Sequence, residues 1–112
     1  MPRRETGVSL RQMHDYGREA MDMVRDRARA DLDTDRMLNL ALVRLLEILG
    51  EAAGRVPQED RARYPQIPWI QLVNLRNRLI HGYDQVDFDI LWQILTPDLP
   101  PLVDELETIL SS

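Results

Sequence analysis

This 112-residue sequence predicts an all-α fold, an up-and-down bundle of four or five helices. Three observations carry the prediction. Apolar residues recur at three- and four-residue spacing along most of the chain. No run alternates between apolar and polar residues with turns at its ends, as a half-buried strand would. Short connections, marked by Pro57, Pro65 and Pro68, separate the periodic stretches.

The elements follow in order. Ser9 is positioned to cap a first helix running to about Ala30, with Leu10, Met13, Gly17, Met21, Val24 and Ala28 on one face. Residues 1–8 are expected to be a poorly ordered extension of a single domain spanning 1–112. Asp33 and Thr34 offer caps for a second helix, and Met37 to Ala53 is apolar almost all round. Such a helix needs cover on more than one side, from the bundle centre or from a dimer contact. Glu47 and Glu51 stand four apart on it, and Gly50, Ala52 and Ala53 are small enough for another backbone to come close. Pro68 suits the first position of a third main helix. There Trp69, Leu72, Val73, Leu75 and Leu79 would pack inward, and Gly82 would end the helix in a left-handed conformation. Asp87 can cap a helix from Phe88 to Leu95, and Pro100 or Pro101 can open the last one through Leu110.

Composition narrows the function classes. There is no cysteine, so disulfides and thiolate metal sites are ruled out. No apolar run approaches the roughly 20 residues of a membrane span, and the amino terminus lacks the apolar stretch of a signal peptide. These features lead us to expect a cytosolic protein without membrane association. The net charge of −5 argues against a general nucleic-acid coat. Residues 55–83 nevertheless hold five arginines against Glu59 and Asp60, whereas residues 84–112 hold seven acids and no base. Nucleic acid would have to approach through the central segment. All fourteen basic residues are arginine; that suits phosphate contacts, and a codon bias toward G and C gives the same result.

The octapeptide Arg-Asn-Arg-Leu-Ile-His-Gly-Tyr, residues 76–83, concentrates chemistry. An imidazole moves protons near neutral pH. A guanidinium holds phosphate in a bidentate fork and neutralises charge growing on it. Arginine and histidine together are what metal-free cleavage of an RNA phosphodiester needs. On a helix Asn77 and His81 share a face, while Arg76 and His81 lie about 140° apart. With His81 in the last turn and Tyr83 turned back, we expect a polar cluster at a helix end, in a groove shared with a second subunit. A structural account stays open beside this one. A helix-end histidine is favoured by the dipole alone, Arg76 and Arg78 can be solvated charges, and Glu51 can be an exposed helix acid.

Five blocks carry a family resemblance: Leu-Glu-Ile-Leu-Gly-Glu-Ala-Ala (46–53), Tyr-Pro-Gln-Ile-Pro-Trp (64–69), Asn-Leu-Arg-Asn-Arg-Leu-Ile-His-Gly-Tyr (74–83), Asp-Ile-Leu-Trp (89–92) and Asp-Leu-Pro-Pro-Leu (98–102). In order and spacing they resemble the HepT family of HEPN-domain proteins. The resemblance implies a dimeric bundle whose two Arg-x4-His motifs line a shared cleft. It implies the toxin half of a toxin–antitoxin pair of the type VII kind, a metal-independent ribonuclease acting on cellular RNA. The implied partner is a minimal nucleotidyltransferase antitoxin, MntA-like, which uses ATP to place AMP on the toxin; this chain itself would need no cofactor. Carried onto this sequence, Arg76 and His81 would be catalytic, Asn77 an accessory and Tyr83 the AMP acceptor. Apart from the resemblance, Glu51 beside its small neighbours is a further accessory candidate and Arg78 a candidate RNA phosphate contact. Two other classes stay open: a non-catalytic module that docks the nucleotidyltransferase and accepts AMP, and a nucleotide-binding accessory subunit.

Overall fold

Three long helical bodies make the frame of the computed structural model, which describes residues 3–81 and 85–112. The first, α1 (Arg4–Met23), packs against α3 (Arg36–Gly54) and against the carboxy-terminal helix. It starts five residues before the expected cap, and residues 4–8 are its first turns rather than a loose extension. The reason is a long-range anchor. Thr6 is buried and donates its hydroxyl to the buried Asp60, and Ser9 is itself an inward-facing residue of the helix. The helix also stops short of Ala30. The segment Arg25-Asp26-Arg27 offers no apolar face, and Asp26 takes a left-handed conformation (φ 64°) that breaks the helical path.

A single turn, α2 (Asp31–Thr34), leads into α3. The cap of α3 is Asp35, not Asp33 or Thr34: its carboxylate accepts the Leu38 amide at 3.0 Å. Leu38, Leu42, Leu45, Leu46, Leu49, Ala52 and Ala53 are buried along α3, as a helix in a bundle centre requires. Its apolar circumference is not fully covered, however. Met37 and Leu40 are exposed, joined further along the chain by Ile70 and Val73, the last of which was expected to face inward.

After the one-turn α4 (Gln58–Arg61), the chain is tied back by Trp69. The Trp69 indole donates to the carbonyls of Arg61 and Tyr64 at 3.1 and 3.0 Å, and the Arg61 guanidinium stacks over its ring. The expected third helix is not continuous. It is two pieces, α5 (Trp69–Val73) and α6 (Leu75–Leu79), that meet at Asn74. Helical geometry ends at Leu79. Ile80 and His81 are extended (β1) and pair antiparallel with Gln85–Val86 (β2), Ile80 opposite Val86 and His81 opposite Gln85. This small ladder is the one departure from all-α structure among the described residues, and no alternating pattern announced it.

Asp87 caps α7 (Phe88–Gln93) as expected, accepting the amides of Asp89 and Ile90. The helix then continues instead of ending at Leu95. A π-helical turn over Ile94–Asp98 carries it through Pro97 into α8 (Leu99–Ser111). Proline has no amide hydrogen and crowds the preceding turn, so a widened turn is the way to keep a helix running through it. Pro100 and Pro101 follow directly on the π turn, in the first turn of α8. Leu99, Leu102, Val103 and Leu106 then close the core against α1, where Gly17 lets the helices approach. Among the described residues no helix is long and apolar enough to cross a membrane.

Candidate functional site

Gly50 creates the groove at which Arg76 stands. A methyl group at Gly50 would lie 2.8 Å from the carbonyl oxygen of Leu72, so only glycine allows α5 to sit this close to α3. Where α5 and α6 run along the carboxy-terminal half of α3, an open groove of about 280 Å³ forms. Glu47, Gly50, Glu51 and Gly54 line it from α3, and Val73, Leu75 and Arg76 from the other side.

Arg76 is the cation of this groove. Its Nε lies 3.7 Å from Oε2 of Glu47, and its side chain is 66% exposed. Such an ion pair contributes at most about 1 kcal/mol. A phosphate, which a guanidinium binds through two parallel N–H donors, can therefore displace the carboxylate. Glu51 borders the same groove but pairs with Arg44 at 3.6 Å. The acid against Arg76 is thus Glu47 and not Glu51, the accessory expected from the sequence. Both share a face of α3, and nothing local tells which one α6 will meet.

The other candidates are placed as follows. Asn77 is exposed on α6. Arg78 is not brought to the Arg76 groove: it lies 3.6 Å from Asp98 on the π turn, beside Leu46, Leu49 and Ile94. His81 is not in a last helical turn, and its extended backbone does not share a helix face with Asn77. The His81 side chain lies outside the described residues, as do Gly82 and Tyr83. The expected cap at Gly82, and the meeting of Arg76, His81 and Tyr83, fall there too.

Two polar features escaped the sequence reading. Asp60 is buried, accepting from Thr6 and lying 3.5 Å from the Arg3 guanidinium. No signal could have found this contact, which joins residues 54 positions apart. His14 is half-buried with its ring nitrogens 2.9 Å from Asp15 and 3.1 Å from Glu107. Burial works to lower its pKa, but the hydrogen bonds and charges of the two carboxylates outweigh that and raise it above the ordinary value.

The family model described as "Ribonuclease HepT-like" matches residues 13–109, a span that holds the groove and the whole Arg76–His81 motif. The chain belongs to the HepT-like ribonuclease family. Relatives of this HepT-like chain carry matching names. It is 30% identical to the Methanocaldococcus jannaschii protein "Putative RNase MJ1380", over 97% of this chain and the full length of that protein. It is 33% identical to the Thermococcus cleftensis protein "Probable ribonuclease HepT", over 81% of this chain and 86% of the relative. A third relative, "Putative RNase TTE0752" of Caldanaerobacter subterraneus subsp. tengcongensis, is 36% identical over 71% of each chain. No solved structure matches the HepT-like chain.

Proposed function

We propose that this HepT-like chain is the toxin of a toxin–antitoxin pair and cleaves cytoplasmic RNA as a homodimer, without a metal ion. The reading rests on the family match, which takes in the motif from Arg76 to His81. It is supported by the exposure of Arg76 at the lip of a groove, where Glu47 is its acidic partner among the described residues. His81 of one subunit takes the proton from a ribose 2′-hydroxyl. The 2′-oxygen attacks the adjacent phosphorus, and Arg76 leaves Glu47 to bind the non-bridging oxygens as their charge grows. The partner subunit's His81 protonates the leaving 5′-oxygen, so that a 2′,3′-cyclic phosphate and a 5′-hydroxyl result. One chain has a single histidine in the motif, whereas this route needs an acid and a base; a symmetric pair supplies both. Met37, Leu40, Ile70 and Val73 are exposed apolar residues available for such an interface. Asn77 and Glu51 act as accessories, and Arg78 contacts RNA beyond the groove.

Control belongs to Tyr83. A nucleotidyltransferase antitoxin transfers AMP from ATP to its hydroxyl with release of pyrophosphate. This adds bulk and negative charge seven residues after Arg76 in the motif, which would disfavour binding of an RNA phosphate. The test is cleavage of RNA by protein expressed without a partner, with intact mass measured beside it, for wild type and His81→Ala. Wild type alone should cut, in the presence of EDTA, and leave cyclic phosphate ends. A free 3′-hydroxyl end overturns the route. Absence of cleavage by unmodified, folded protein would favour a docking module that only accepts AMP. Tyr83→Phe should stay toxic while escaping the partner.

A further inference from the structure

We propose that the amino-terminal half of α1, together with Arg55, is a second contact for the RNA backbone and leads a single strand toward the Arg76 groove. The inference rests on the ribonuclease reading for the identity of its ligand, but on separate residues for its site. Arg4 and Arg11 are seven residues apart, two turns or about 10.5 Å along one side of the helix. Both are exposed, and neither has an acidic partner among the described residues. Two shallow depressions of about 410 and 430 Å³ flank the ridge made by Arg4 and Val8. Arg3 and Arg11 border the first; Arg55, the residue that follows α3, borders the second. Among the described residues the Arg55 guanidinium donates to a neutral amide, Oε1 of Gln12 at 3.1 Å, and has no acidic partner. Arg4, Arg11 and Arg55 thus face two acids, Glu5 and Asp15, on a chain whose net charge is −5, while Arg3 is held by Glu59 at 2.9 Å and Asp60 at 3.5 Å.

The surroundings give this patch a direction. On the α8 side stand Asp104 and Glu107, which repel a polyanion. In the other direction Arg55 follows directly on Gly54, a wall of the Arg76 groove. A strand lying over Arg11 and Arg4 is therefore free to continue past Arg55 toward the reacting phosphate, and is excluded from the acidic side. Contacts of this kind position RNA without reading its sequence.

The experiment measures binding separately from cleavage. The probe is a labelled 2′-O-methyl oligonucleotide of about 12 nucleotides, a length a single-strand site can hold, which cannot be cut by attack of a 2′-hydroxyl. Its affinity is followed by fluorescence anisotropy against salt concentration for wild type, the triple variant Arg4→Gln/Arg11→Gln/Arg55→Gln, and Arg36→Gln at the opposite end of α3. Three lost phosphate contacts should reduce the slope of log affinity against log salt by about 2, with Arg36→Gln unchanged and all melting temperatures preserved. The single charge reversal Arg11→Glu should weaken binding on its own. A triple variant with the wild-type slope overturns the proposal, as does a wild type that binds no RNA. If natural RNA is cut while the slope is unaffected, this contact falls and the ribonuclease reading stands. If the slope falls as expected but no RNA is ever cut, the contact stands and the cleavage reading falls.

Discussion

Gly50 fixes the distance between α3 and α5, and so the width of the groove in which Arg76 stands. In Gly50→Ala the new methyl meets a backbone oxygen that has no rotamer to escape into. Overpacking of this sort costs about 1–3 kcal/mol, while the better helix propensity of alanine returns roughly 1. We expect a lower melting temperature and a disproportionate loss of RNA cleavage. Gly17→Ala is the comparison: its methyl would meet the side chains of Val103 and Leu49, which can yield, and it lies away from the groove. His14 gives a prediction in pH. Its folded pKa is raised by Asp15 and Glu107, so its contribution to stability is full below its ordinary value of about 6.5 and is lost as pH rises through the folded value. The melting-temperature gap between wild type and His14→Gln should therefore be larger near pH 5.5 than near pH 8.5, and an equal gap would remove this role. At this scale the sequence was partly readable. The small residues around Gly50 announced a close backbone approach, but the choice of Glu47 over Glu51 depends on how α6 is rotated, which no local pattern encodes.

Helix existence was legible where apolar periodicity was strong, and helix ends were legible where a side chain caps its own neighbours. Asp87 is the clear success, with its carboxylate on two amides of the first turn. Asp35 shows the limit: Asp33 and Thr34 were the expected caps of α3, and geometry selects the residue that follows them. Asp35→Ala should cost about 1 kcal/mol, read as a lower midpoint in urea with the slope unchanged, whereas Asp33→Ala should be near neutral. The ends of α1 were missed because a tertiary contact between Thr6 and Asp60 sets one and a left-handed Asp26 the other. Proline misled the reading in the carboxy-terminal half, since Pro97 is accommodated by a π turn instead of ending the helix. The break at Asn74 and the extension of Ile80–His81 had no sequence signal at all, and they lie in the segment that bears the candidate site.

At the scale of the whole molecule, the exposed apolar residues Met37, Leu40, Ile70 and Val73 and the solitary motif histidine lead to one prediction. On the proposed homodimer, Leu40→Asp combined with Ile70→Asp should leave only monomer in light scattering, and should abolish cleavage without unfolding the chain. A monomeric variant that still cuts RNA would remove the two-subunit mechanism. The division of labour within the fold has a further result. Most of the buried side chains belong to α1, α3 and α8, while α5 and α6 are five-residue pieces that meet at Asn74 and bury Trp69, Leu72, Leu75 and Leu79 against that frame. Short segments with few buried contacts of their own open locally at lower free energy than the body they rest on. Undocking of α5 and α6 would dismantle the wall that holds Arg76 while the three long helices stayed in place. Heat should then silence this protein before it melts it, and cooling should restore it without refolding.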